Sequence, residues 1–194
     1  MKRVLVALIL SVSLSVASAQ TVINDANAES RNVTSFHAIQ VSSSFEVLLT
    51  QGNTEGLAVS ANEKDYLQHI KTVVENGVLK IWYEEKGKWW PRNLKLKAYI
   101  SAKNLDEIKA SGASDVKIQG QLSVSTLHLN FTGASDLKGK IEVSDHLKID
   151  LSGASDITVT GSANETSIKL SGASDVKGYD FATGLGVPRG YDGK

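Results

Sequence analysis

The chain of 194 residues has no cysteine, two prolines and one methionine. Without cysteine there is no disulfide, no thiolate metal site and no thiol to carry a lipid, so a lipoprotein is excluded. There is no excess of charge either, with 21 Lys and Arg facing 21 Asp and Glu. Long apolar runs are lacking beyond Val4–Val16. That stretch is short for a membrane span, and it sits between basic Met1-Lys2-Arg3 and the small residues Ala17-Ser18-Ala19, the layout of a cleavable export signal over residues 1–19. Its removal takes away Lys2 and Arg3, leaving 19 basic against 21 acidic side chains, a net charge of −2. Such a balance offers no field for nucleic acid or anionic lipid, and nucleic acid is not an expected partner. No second segment has membrane length, so the mature chain is expected to carry no transmembrane segment. An exported protein without disulfides must draw its stability from packing and backbone pairing.

What the chain does have is repetition. SGASD stands at Ser111–Asp115 and returns as TGASD at 132–136 and as SGASD at 152–156 and 171–175. The glycines fall at 112, 133, 153 and 172, spacings of 21, 20 and 19 residues. Around the third copy, Leu147, Ile149, Leu151, Gly153, Ser155, Ile157 and Val159 alternate with mostly polar neighbours. Period two is the side-chain alternation of a strand. About twenty residues per repeat, strand-like throughout, predicts an all-β fold of the β-solenoid (single-stranded β-helix) type, with the small residues turning each coil.

Upstream of Leu105 the texture is irregular. Val33–Ile39, Phe45–Thr50, Leu57–Ala61 and Leu94–Ile100 read as strands, and Asn76-Gly77 marks a hairpin. The expected organisation is a signal at 1–19, a flexible N-terminus at 20–32, one β domain at 33–178 with repeats from 105, and an irregular tail at 179–194. Flat, stacked ends favour self-association, so a homo-oligomer is a further expectation.

The repeated Asp115, Asp136, Asp156 and Asp175 are expected to stack on the outer face. Like charges at that spacing repel by about 0.9 kcal/mol per pair in water. Lys117, Lys138, Thr158 and Lys177 stand two residues on and offset the repulsion. A repeated turn ladder beside a lysine row is the structural reading; a strip for a cation or polar ligand is the functional one.

Catalytic constellations are missing. His37, His69, His128 and His146 have no ligand spacing, and His128 and His146, in neighbouring repeats, suit a surface pair. No G-x-S-x-G elbow, phosphate-cradling loop or calcium loop occurs. Neither a cofactor nor a metal is expected. The richest stretch outside the repeats is IWYEEKGKWWPRNLKLK, which holds all three tryptophans. Trp82, Tyr83, Trp89, Trp90 and Arg92 are the candidate ligand-binding residues, since aromatics beside cations stack on sugar faces or insert into a protein partner. The competing reading is that Trp82 and one of the pair pack against the end of the fold.

The reiterated S/T-G-A-S-D segment resembles the family called "putative auto-transporter adhesin, head GIN domain". So do SFHAIQVSSSFEVLLTQGN, VENGVLKIWYEE and NLDEIKASGASDV. The likeness spans about residues 30–178 and implies an exported, solenoid-like, adhesive bacterial domain with no catalytic residues to carry over. The ten-residue alternating segments of a membrane barrel are absent, so self-transport is not expected. Together these readings point to a non-catalytic, adhesin-type binding module of the cell envelope whose surface ligand is a glycan or a protein. The alternatives are a periplasmic scaffold without an external ligand, and a polysaccharide-active enzyme of the β-helix type.

Overall fold

The alternation of apolar and polar residues becomes strands in the computed structural model, which describes residues 24–33, 35–84, 93–178 and 182–183. The export signal at 1–19 and most of the C-terminal tail lie outside the described residues. In chain order the strands are β1 (Glu29–Arg31), β2 (Ala38–Val41), β3 (Phe45–Gln51) and β4 (Gly56–Ala61). A 3₁₀ turn at Lys64–His69 leads into β5 (Ile70–Glu75), β6 (Val78–Tyr83), β7 (Leu96–Ala102) and β8 (Glu107–Ala110). Then follow β9 (Asp115–Val124), β10 (Leu127–Phe131), β11 (Asp136–Leu151), β12 (Asp156–Leu170), β13 (Asp175–Gly178) and β14 (Ala182–Thr183). Asn76 and Gly77, at φ 52° and 77°, make the tight turn between β5 and β6.

The all-β class holds, but the expected β-solenoid, a single-stranded β-helix behind an irregular β region, is corrected. All fourteen described strands join one mixed sheet. Pairs β1–β4, β4–β7 and β5–β6 are antiparallel, whereas the repeats pair in parallel. The main path runs β1-β4-β7-β3-β9-β11-β10-β8-β2-β6-β5, wrapping barrel-like around one core. Its ends nearly meet: Arg31 of β1 donates from Nη2 to the carbonyl of Leu67, in the turn before β5, at 3.2 Å. The physical reason for the difference lies upstream. Residues before 105 lack the pentapeptide, yet β2 pairs in parallel with β8 and β3 with β9, so they are part of the same wall. Period two specifies a strand, but neither its partner nor its direction.

Within the wall the repeats stack in register. Ile39 pairs with Ile108, Ile108 with Leu129, Leu129 with Ile149 and Ile149 with Ile168. The first four are at most 1% exposed. Burying each such side chain contributes about 1.5–3 kcal/mol relative to exposure.

The pentapeptide forms the turn between rows. Gly133 has φ 85°, and a Cβ there would stand 2.5 Å from the carbonyl oxygen of Gly112. That close approach lets Ala134 N–H donate to the same oxygen at 2.8 Å. A degenerate copy of the turn precedes the four obvious ones. Ser43 adopts φ 88° in Ser42-Ser43-Ser44-Phe45-Glu46, and its carbonyl accepts from Ala113 N–H at 2.8 Å.

Candidate binding groove

Alternation along β6 puts Leu79, Ile81 and Tyr83 inside and Val78, Lys80 and Trp82 outside. Tyr83 is 8% exposed and its ring lies 5.6 Å from that of His69. Trp82 is half-buried on the outer face, paired across the hairpin with Lys71. Of the candidate aromatic set, Trp89, Trp90 and Arg92 lie outside the described residues.

The four aspartates do form a row, continued by Glu46: Glu46 pairs with Asp115, Asp115 with Asp136, and Asp156 with Asp175. Asp136 Oδ1 accepts from Asp156 N–H at 3.2 Å, so the carboxylate serves the backbone of the next repeat. Lys117, Lys138, Thr158 and Lys177 share the adjacent row. Lys117 reaches Glu46 at 2.6 Å and Lys177 reaches Asp175 at 3.1 Å. The hydrogen bond from Lys117 holds the Glu46 carboxyl below its usual range, and the same contact raises Lys117.

The histidines are not brought together. His128 stands opposite Lys148, with Nδ1 3.1 Å from Glu107 and Nε2 2.8 Å from Asp150; His146 stands opposite Glu165. Asp150 is held below the usual carboxylate range, first by Lys148 and then by His128. Near the N-terminus, Tyr99 donates to Asp25 at 2.7 Å. Burial, then Asp25, pushes the Tyr99 hydroxyl up to about 12, and the Tyr99 bond lowers Asp25.

The concave feature lies elsewhere, where the segments leading into β2 and β8 meet the middle of the repeat strands. A groove of about 600 Å³ is lined by His37, Asn104–Asp106, Ser123–Thr126, Glu142–Ser144 and Ser162. The sheet register sets its polar row: Ser123 of β9 pairs with Glu142 of β11, which pairs with Ser162 of β12. Ser162 Oγ donates to Glu142 in a short bond. Ser123 accepts from Gln121 Nε2 through its hydroxyl, and its backbone is gripped on both sides by the Gln51 amide. At the rim, His37 Nδ1 lies 2.9 Å from Asp106. That hydrogen bond and the carboxylate's charge raise the His37 pKa. His37 has no serine partner among the described residues, so no activated nucleophile is assembled there. Nor does any group of three or more His, Asp or Glu suited to a metal occur among the described residues.

Apart from His37, the groove residues were not singled out by motif. The signal lies in the second half of each repeat, where LSVST, IEVSD and GSANE recur 19 and 20 residues apart. Polar residues there look like any solvated face until the register stacks them.

These features define an all-β protein with a curved mixed sheet, a stack of small-residue turns and a polar groove. The chain belongs to the family described as "putative auto-transporter adhesin, head GIN domain", whose model matches residues 35–184. Among solved structures it is similar to a protein from Parabacteroides distasonis titled a putative adhesin, at 17% identity and TM-score 0.61, covering 80% of this chain and 74% of that one. A second, titled a putative lipid binding protein and also from Parabacteroides distasonis, has 21% identity and TM-score 0.59, with coverage of 82% and 76%. At these identities the likeness shows the fold alone. No protein of curated function matches the chain. Among the described residues no helix is long and apolar enough to cross a membrane.

Proposed function

We propose that the protein is a non-catalytic, adhesin-type binding module, exported by its N-terminal signal and displayed at the cell surface. The observation that carries this reading is the groove: exposed and half-buried polar side chains gathered on one hydrogen-bonded sheet, with no nucleophile–base pair among them. Membership of a family described as adhesive agrees with it. The aromatic stretch supplies a second contact, with Trp82, Trp89, Trp90 and Arg92 meeting the ligand and Tyr83 anchoring the strand from inside. The test is direct. Labelled residues 20–194 are applied to arrays of glycans, matrix proteins and lipid vesicles, and saturable capture by at least one class is expected. Absence of capture by every class contradicts the reading.

A further inference from the structure

From the chemistry of the groove we infer that its ligand is a neutral, polyhydroxylated chain, a glycan laid across the stacked strands. This inference rests on the binding-module reading and adds the ligand class and the place where it sits.

Four side chains on the groove, Asn104, Ser125, Thr126 and Ser144, are exposed and bond through their polar atoms to no other described residue. Each both donates and accepts, as sugar hydroxyls do. Charged side chains on the outer faces pair with one another in several places, as in Lys117–Glu46, Lys148–Asp150 and Lys80–Glu75. In the groove, four such uncommitted groups share one concave surface.

Charge narrows the class. Among the described residues no lysine or arginine lines the groove, while Asp106 and Glu142 do, the first paired with His37 and the second with Lys140 at 3.7 Å. A phosphate, sulfate or uronate chain would find carboxylates there and no uncommitted cation to meet it. Carboxylates accept well from adjacent hydroxyls of a neutral sugar.

Apolar surface narrows it further. Leu105 and Val143 are each 2% exposed and belong to the core, which leaves half-buried Val124 as the apolar side chain with appreciable surface in the groove among the described residues. An acyl chain would find few apolar side chains to bury against.

Geometry then favours a polymer. Ser123, Glu142 and Ser162 occupy equivalent positions on three adjacent strands, so the polar row steps by about 4.8 Å. An extended polysaccharide rises by a similar length per sugar, so successive sugars can each place a hydroxyl against one strand.

The test is a titration of isotope-labelled residues 20–194, followed by amide chemical shifts. Three probes are used separately: neutral hexasaccharides (β-linked glucose, N-acetylglucosamine and mannose), an oligogalacturonate, and phosphatidylcholine vesicles. Saturable shifts at Asn104, Ser125, Thr126 and Ser144 are expected with at least one neutral hexamer and not with the other two probes. Ser144→Trp, a substitution at an exposed position, is expected to weaken that binding at least tenfold while the rest of the spectrum is kept. Asn104→Ala is expected to weaken it without filling the groove. Groove shifts with the acidic or lipid probe instead, or no groove shift with any neutral hexamer at millimolar concentration, overturn the inference. If the arrays show capture while the groove stays silent, the binding-module reading stands and the ligand assignment falls. If the arrays are blank as well, both fall.

Discussion

The backbone N–H of Ser114 donates to Ser135 Oγ at 3.3 Å, across one repeat of the chain. The relationship recurs from Ser135 to Ser155 and from Ser155 to Ser174, both at 3.4 Å. Each of these hydroxyls in turn donates to the carbonyl three residues earlier, as Ser135 does to Thr132 at 3.1 Å. Ser114, Ser135 and Ser155 have no exposed surface. One small hydroxyl thus closes its own turn and satisfies the turn below it. This is the physical reason for a serine in the fourth place of every pentapeptide.

Ser135→Ala removes both bonds and leaves the buried Ser114 N–H and the Thr132 carbonyl without that partner. A loss of about 1–3 kcal/mol is expected, read from the urea midpoint. Ser174→Ala should cost less, because water reaches that half-buried end of the ladder.

Two glycines separate crowding from backbone strain. Gly120 and Gly133 have similar φ, 80° and 85°, but a Cβ at Gly120 meets nothing within 4 Å. Gly120→Ala is therefore expected to cost only the left-handed backbone penalty, about 1–2 kcal/mol. At Gly133 the neighbouring backbone oxygen must also move, so Gly133→Ala should be clearly more destabilising in the same denaturant series.

The His37–Asp106 pair gives a signed pH dependence. The His37 pKa is raised, so the pair's contribution is complete below the unfolded value of about 6.5 and is lost as pH rises through the folded one. Asp106→Asn should return His37 toward the ordinary value, as followed by its ring proton shifts across the titration. An unchanged His37 titration in that variant would show that the carboxylate is not the cause.

For the aromatic stretch, Trp89→Ala with Trp90→Ala is expected to weaken ligand capture at least tenfold, about 1.4 kcal/mol. The melting temperature should stay near that of the parent. A variant that unfolds instead would place the two rings in the core.

Much of the strand pattern was legible. Leu147, Ile149 and Leu151 face inward as their alternation requires, and Asn76-Gly77 makes the expected hairpin turn. The same period two carries a consequence for neighbouring aromatics: Trp82 and Tyr83, adjacent on one strand, face opposite sides, so one strand cannot offer both to a ligand. Strand direction is not legible, because nothing in the apolar pattern of β4, buried at five consecutive positions, or of β5, half-buried along most of its length, marks an antiparallel partner. The turn at Ser43 was hidden for another reason. A serine held at φ 88° by its neighbours carries none of the sequence marking that glycine gives. The groove escaped notice because Asn104, Ser125 and Glu142 become neighbours only through the register, and small polar residues between turns are common on any exposed face.

Display of the proposed adhesin-type module on the outside of the cell is tested most directly by protease shaving. Intact cells and lysed cells are treated with protease, and the mature chain is followed by immunoblot beside a periplasmic marker. Digestion on intact cells, with the marker spared, is the predicted result. Protection until lysis would contradict surface display and leave a periplasmic scaffold as the better description.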